Sequence, residues 1–313
     1  MSFNLVKPGM LTLLQDTGRF GYAHLGLTQG GVLDSQSARW ANLLCGNDEN
    51  APLLETTYGG VELEITSDCT LAITGAPAII RVDNVEVPQW LTFKVNKGQK
   101  VVIGRPVRGI RNYIAIAGGF DVERVFNSSS MVMREQVGPN HGQPLKSGQN
   151  LVAGKIADLA VRQAVVPFYL RPSFSQFVTL RVVLGFQHEQ FSNHHKQTMF
   201  ESVYQVTEYS DRMGCRLQGP AVIPASENMV SEGIPLGAVQ LPPDGQPIVM
   251  MNDHQTIGGY AKMGSVLSID LALLAQCQPG AQILFEPIDI EQAQQILLLE
   301  RQRWQQPQVR ILN

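Results

Sequence analysis

Alternating apolar and polar positions, in short runs cut by Gly, Pro, Asn and Asp, dominate this chain, as in Val61-Glu62-Leu63-Glu64-Ile65. A period of two places successive side chains on opposite faces, so each run predicts a half-buried strand. Residues 61–65, 70–74, 78–82, 100–103, 113–117, 179–184 and 266–269 are the clearest runs. Turn dipeptides such as Asp83-Asn84, Lys97-Gly98 and Asp244-Gly245 punctuate the chain. Strands at this spacing, with few helical stretches between them, predict barrels or sandwiches and not a doubly wound sheet.

Two stretches carry helical spacing. Asp34 has the chemistry of an N-cap for residues 35–45, and Gly46 that of the stop after them. Residues 291–304 place Ala293, Ile296, Leu297 and Leu299 at helical intervals in a Gln-rich context that reads as packing or interface. Pro167 and Pro172 break the strand rhythm in residues 164–176, which makes this the linker. The expected division is a domain over 1–165, a second over 177–290, and a C-terminal helix and tail over 291–313. Asp16-Thr17-Gly18-Arg19 faintly echoes Asp211-Arg212-Met213-Gly214, a hint of duplication.

Composition narrows the partners. A 313-residue chain that is 44% hydrophobic can bury two cores. Net charge is −3 and no run of like charge occurs, which argues against nucleic acid or a membrane surface. Cys45, Cys69, Cys215 and Cys277 are widely spaced without a CxxC pair, so they read as free thiols in the cytoplasm.

The richest polar stretch is Asp253-His254-Gln255-Thr256-Ile257-Gly258-Gly259-Tyr260, which follows the apolar run Pro247 to Met251. It joins an acid, an amide and a hydroxyl to two glycines that let a ligand approach the backbone. The plain alternative is a Gly-rich turn capped by its own Asp. Ser210-Asp211-Arg212-Met213-Gly214-Cys215-Arg216 offers two guanidinium forks suited to carboxylate or phosphate. Gln15 to Arg19 offers another, more simply read as a structural turn. Ser226-Glu227 and Ser231-Glu232 add two acids, with Glu232 either catalytic or solvated at a turn. His188-Glu189 with His194-His195 lacks zinc-helix spacing and reads as a His-rich surface loop. Ala261-Lys262-Met263-Gly264 lacks the Met before the lysine that a biotin attachment site needs. No Walker A loop, GxGxxG fingerprint, GxSxG elbow or zinc cysteine pattern is present.

Ordered motifs across nearly the whole chain resemble the carboxyltransferase family that includes allophanate hydrolase subunit two and the C-type subunit of bacterial 5-oxoprolinase. They are Gln15 to Gly21, Ala41-Asn42 with Gly46-Asn47, Leu54-Glu55 with Gly59-Gly60, and Ala117 to Val122. In the second half they are Asp211 to Gly214 with Arg216-Leu217, Ser231-Glu232-Gly233, Gly237 to Pro247, Asp253 to Tyr260, Asp270, and Pro279-Gly280. Departures fall at Gly30 to Asp34, Asn127 to Met131, Gly142-Gln143, Gly148-Gln149 and His254, where the family usually carries Arg.

The resemblance implies a mainly β protein of two cyclophilin-like β-barrel domains with few helices. It further implies a subunit of an ATP-dependent 5-oxoprolinase that opens 5-oxoproline to glutamate. The partners would be a sister chain of the B type and an A-type lactam-hydrolase chain. ATP, with Mg allowed for, would bind at a site shared with a partner; no protein metal site and no covalent biotin are expected on this chain. On this reading Asp253 is the base or water-positioner, Gly258 and Gly259 are oxyanion donors, and Arg212, Arg216, Gln255, Thr256 and Tyr260 bind substrate. Two alternatives stay open: carboxyl transfer from a carboxybiotin carried on another protein, and a non-catalytic regulatory role.

Overall fold

The computed structural model describes residues 2–155, 163–225, 229–305 and 309–311, which leaves Ser226 and Glu227 outside the described residues. The protein is mainly β and divides into two units. The first holds residues 1–19, 30–174 and 308–313; the second holds 20–29 and 175–307. The chain therefore crosses early, giving residues 20–29 to the second unit. It returns at its end, where Arg310–Ile311 pairs with Ala164–Val165 in the first. Among the described residues no helix is long and apolar enough to cross a membrane.

In the first unit, an antiparallel six-stranded sheet runs Asn150–Val152, Ser2–Pro8, Val61–Ile65, Lys100–Ile103, Ile80–Val82, Val85–Val87. A five-stranded sheet runs Leu11–Gln15, Leu53–Thr57, Arg111–Ile116, Cys69–Gly75, Thr92–Val95. Their inward faces share one core that includes Leu5, Leu13, Leu63, Ile103 and Ile114. Each such side chain contributes about 1.5–3 kcal/mol by leaving water. The strands of this unit thus fall in two sheets around one core, and full closure of the hydrogen-bonded ring belongs to the second unit. Helix Ser35–Leu44 starts where predicted, with Asp34 accepting from Ser37 N at 3.0 Å and Ser37 Oγ at 2.6 Å. Its start is tied to the sheet through Tyr113, whose hydroxyl accepts from Asp34 N at 2.7 Å and donates to Glu55 at 2.9 Å. Burial, then the carboxylates of Glu55 and Asp34, push the Tyr113 phenol well above its usual range. Burial also pushes the Cys69 thiol up to about 12 and the Cys45 thiol higher still, so neither supplies a thiolate at neutral pH.

The second unit is a closed barrel in the order Phe177–Leu184, Ala261–Val266, Ala238–Leu241, Ile248–Met250, Gly214–Gln218, Val203–Val206, Gln282–Ile288. It closes by the parallel pairing of Gln282–Ile288 with Phe177–Leu184. Two sequence readings fail here. The strand expected over residues 266–269 ends at Val266, because the chain turns into helix Ser268–Leu274, where Asp270 takes the Arg181 fork (Nε at 2.9 Å). The His-rich stretch is helical: His188-Glu189 lie in the short 3-10 helix Phe186–Gln190 and His194-His195 in helix Asn193–Glu201, with Ser192 accepting from His195 N as its N-cap. Gly264 permits close strand approach, since a Cβ there would strike the Val183 carbonyl oxygen. Gly264→Ala should therefore lower stability by about 1–3 kcal/mol, read as a fall in the midpoint of thermal unfolding.

Candidate functional site

The polar octapeptide begins in a locked turn. Met251 N donates to Met213 O and Asp253 N donates to Arg212 O, both at 2.9 Å, while His254 N closes onto Met251 O. With the backbones so registered, Arg212 Nε and Nη2 each reach one oxygen of Asp253 at 2.9 Å. Both residues are buried. A carboxylate held by both oxygens on a guanidinium is a weak proton acceptor, and the same fork is closed to a ligand. Thr28 Oγ1, from the early crossing segment, donates to His254 O at 3.1 Å and buttresses the turn.

Beyond the turn the chain forms a short ribbon in which Glu232 pairs with Gly258 and Gly233 with Ile257. Ile234 continues the ribbon, donating from its backbone to Thr256 O at 2.9 Å, and packs with Ala238, Ile248 and Met250 on one barrel face. On that face cross-strand pairing sets a row: Lys262 opposite Gln240, Gln240 opposite Ile248, Ile248 opposite Arg216. Directly paired residues share a face, so the four side chains point the same way. The Arg216 end is exposed, while Gln240 is 1% exposed and Lys262 9%.

Around the buried end a polar cluster assembles. Lys262 Nζ lies 2.6 Å from Glu232 Oε1, and Gln187 Nε2 donates to the same oxygen at 2.7 Å. Gln187 Oε1 accepts from Lys262 N at 2.8 Å, tying the cluster to the barrel. Gln240 Nε2 and Gln255 Oε1 are buried, and neither has a hydrogen-bond partner among the described residues. Both amides converge on Gly258: a Cβ there would lie 3.3 Å from Gln240 Nε2, 3.5 Å from Gln255 Nε2 and 2.6 Å from Ile234 Cδ1. Gly258 thus matters for the side chain it lacks. A Cβ on Gly259 would sit 3.4 Å from Ser231 Oγ.

Arg216 and Tyr260 are not part of this cluster. They line an open cavity of 810 Å³ at the other end of the row, with Tyr209, Gln218, Pro242 and Ile248. The predicted residues therefore fall into three places: Arg212 with Asp253 in a buried pair, Gln255, Gly258 and Gly259 at the cluster with Thr256 holding the ribbon, and Arg216 with Tyr260 at the cavity. Gln187, Gln240 and Lys262 escape a sequence reading because only tertiary packing brings Gln187 and Lys262 to Glu232 and Gln240 to Gly258. Only the lysine within Ala261 to Gly264 carries a sequence signal, and its incomplete biotin motif points away from the role its neighbours give it. Among the described residues no group of three or more His, Cys, Asp or Glu is placed to hold a metal ion.

The profile described as carboxyltransferase domain, subdomain A and B, matches residues 25–287. This chain belongs to that family. It is 36% identical over 290 residues to the C-type subunit of 5-oxoprolinase from Escherichia coli K12, covering 92% of both chains. Among solved structures it is similar to the urea amidolyase of K. lactis, with TM-score 0.91 and 26% identity over 96% of this chain. It is also similar to TTHA0988, with TM-score 0.83 and 33% identity over 91% of this chain. The chain spans 20% of that amidolyase chain and 55% of the TTHA0988 chain.

Proposed function

We propose that this carboxyltransferase-family chain is a subunit of an ATP-dependent 5-oxoprolinase, opening the lactam of 5-oxoproline to glutamate in a complex with partner subunits. The observation that carries the reading is the unpartnered donor and acceptor beside Gly258. Gln240 Nε2 and Gln255 Oε1 complement the C=O and N–H of a cyclic amide, and buried polar groups otherwise lack partners at a cost of about 1–3 kcal/mol each. The likeness to the E. coli 5-oxoprolinase component along nearly the full length of both chains supports the same reading.

Lactam opening is uphill, so ATP serves as co-substrate. Phosphoryl transfer to the lactam oxygen activates the carbon, and water then adds to it. The ring C–N bond breaks with the nitrogen taking a proton, and a second water hydrolyses the resulting acyl phosphate. Glu232 is the candidate to orient water and accept its proton: Oε1 takes Lys262 and Gln187, and the side chain is half-exposed. The Lys262 ammonium is positioned to stabilise charge developing on oxygen. Asp253, held by Arg212, positions the turn that carries Gln255 and does not take the base role expected for it. ATP use and free thiols support a cytoplasmic location.

A second reading is carboxyl transfer to or from a biotin carried on another protein, favoured by the urea amidolyase likeness. Biotin's ureido ring has the same N–H and C=O edge, and it would bring the mobile carboxyl group; Gln240 and Gln255 would hold that edge. Lys262, buried and ion-paired, is no attachment point.

The test is glutamate formation coupled to ADP release by the complex reconstituted with its partner subunits, the isolated chain being expected to be silent. Lys262→Met should lower kcat/KM by about 100-fold or more while the variant remains folded. A wild-type complex that forms no glutamate with ATP overturns the reading, and inhibition by avidin would favour the second.

A further inference from the structure

The 810 Å³ cavity at the exposed end of the barrel row is unexplained by a lactam seated at Gln240 and Gln255. Cross-strand pairing puts Arg216 two strands from Gln240 and three from Lys262. At about 4.8 Å per strand these are backbone separations of about 10 Å and about 14 Å. A single five-membered ring at the cluster leaves the cavity unfilled, and its volume falls in the range of small-molecule sites. The cavity wall includes Ile248, the residue paired with Gln240, so a ligand that fills the cavity ends one strand from the cluster.

The lining chemistry specifies what that ligand carries. Among the described residues Arg216 makes no ion pair, so its planar fork is open to an anion, for which phosphate oxygens are a good match. Tyr209 and Tyr260 line the same cavity and expose 72% and 47% of their surface, unpacked aromatic area suited to stacking on a flat ring. Pro242 stiffens the wall: Gly245 N closes onto Pro242 O at 2.8 Å, and Asp244, the acid in the lining, accepts from Gln246 N within that turn. Tyr260 stands two residues before Lys262 along the chain, and its side chain lines the cavity.

We propose that this cavity binds a nucleoside triphosphate, with the base against the tyrosines, the phosphates on Arg216, and the terminal phosphate at the Ile248 wall, the side nearest Gln240. The proposal rests on the ATP-coupled reading of the cluster and supplies the nucleotide site that reading lacks. It also moves Arg216 and Tyr260 from the substrate to the co-substrate.

The experiment titrates the full chain with AMP-PNP by calorimetry and repeats it with Arg216→Ala, Tyr209→Ala and Tyr260→Ala, each checked for an unchanged unfolding transition. Saturable binding that weakens at least tenfold in Arg216→Ala and in either tyrosine variant is expected. In the reconstituted complex the same variants should raise KM for ATP and not KM for 5-oxoproline. Absence of saturable binding to the wild-type chain, equal binding by all variants, or a rise confined to KM for 5-oxoproline overturns the proposal. If the complex opens no lactam yet Arg216→Ala abolishes AMP-PNP binding, the nucleotide site stands and the lactam reading falls.

Discussion

Replacing Asp253 with Ala should destabilise the second unit by about 3–5 kcal/mol, the usual consequence of stranding one member of a buried ion pair. The side chains of Arg212 and Asp253 are only 5% and 8% exposed, and each nitrogen–oxygen contact is 2.9 Å. Without the carboxylate, the guanidinium stays charged and buried and loses both of its hydrogen bonds to Asp253. The double variant Arg212→Leu with Asp253→Leu removes both charges and should lose less than Asp253→Ala alone. Urea unfolding of the three proteins at neutral pH measures this. A loss below about 1 kcal/mol for Asp253→Ala would show that the pair is hydrated and would reopen Asp253 as a base.

Asp16→Ala should be comparably damaging to the first unit, again by about 3–5 kcal/mol. Its carboxylate accepts from Ser128 Oγ at 2.7 Å, Ser130 Oγ at 2.6 Å, Ser129 N at 2.6 Å and Gly18 N at 2.8 Å. Ser130 Oγ in turn accepts from Asp16 N at 3.2 Å, and Arg19 donates to Ser130 O at 2.7 Å. All of these residues are buried, so truncation leaves four donors without an acceptor in a dry site. Asp16→Asn keeps the shape and one acceptor oxygen and should fall between wild type and Ala. Unfolding followed by a probe in the first unit reads the effect, and an Ala variant as stable as wild type would mean the serine loop finds other partners. The same network explains why the departure at Asn127 to Met131 leaves this loop ordered: its three serines still satisfy Asp16.

Much of this protein is legible one residue at a time. Alternation over Val61–Ile65 and Lys100–Ile103 determines strands because a period of two can bury only one face of a sheet. Asp34 determines a helix start because its carboxylate reaches an amide three residues on. Asp211 and Asp16 each bond an amide two residues on, so both turns follow from local chemistry. The ordered motifs likewise identify the family. Where local signals compete, the tertiary structure decides. Residues 266–269 have β-branched content yet turn into a helix, held where Asp270 receives the Arg181 fork from 89 residues away. The fate of Asp253 turns on Arg212, 41 residues distant, and that of Lys262 on Glu232 and Gln187, which only barrel register and the overlying ribbon bring within reach. Sequence specifies such groups by type, but a carboxylate serves as base or as buried ion-pair partner according to what stands beside it. Those neighbours come from strands whose order around the barrel is set by long-range pairing, which no local pattern encodes.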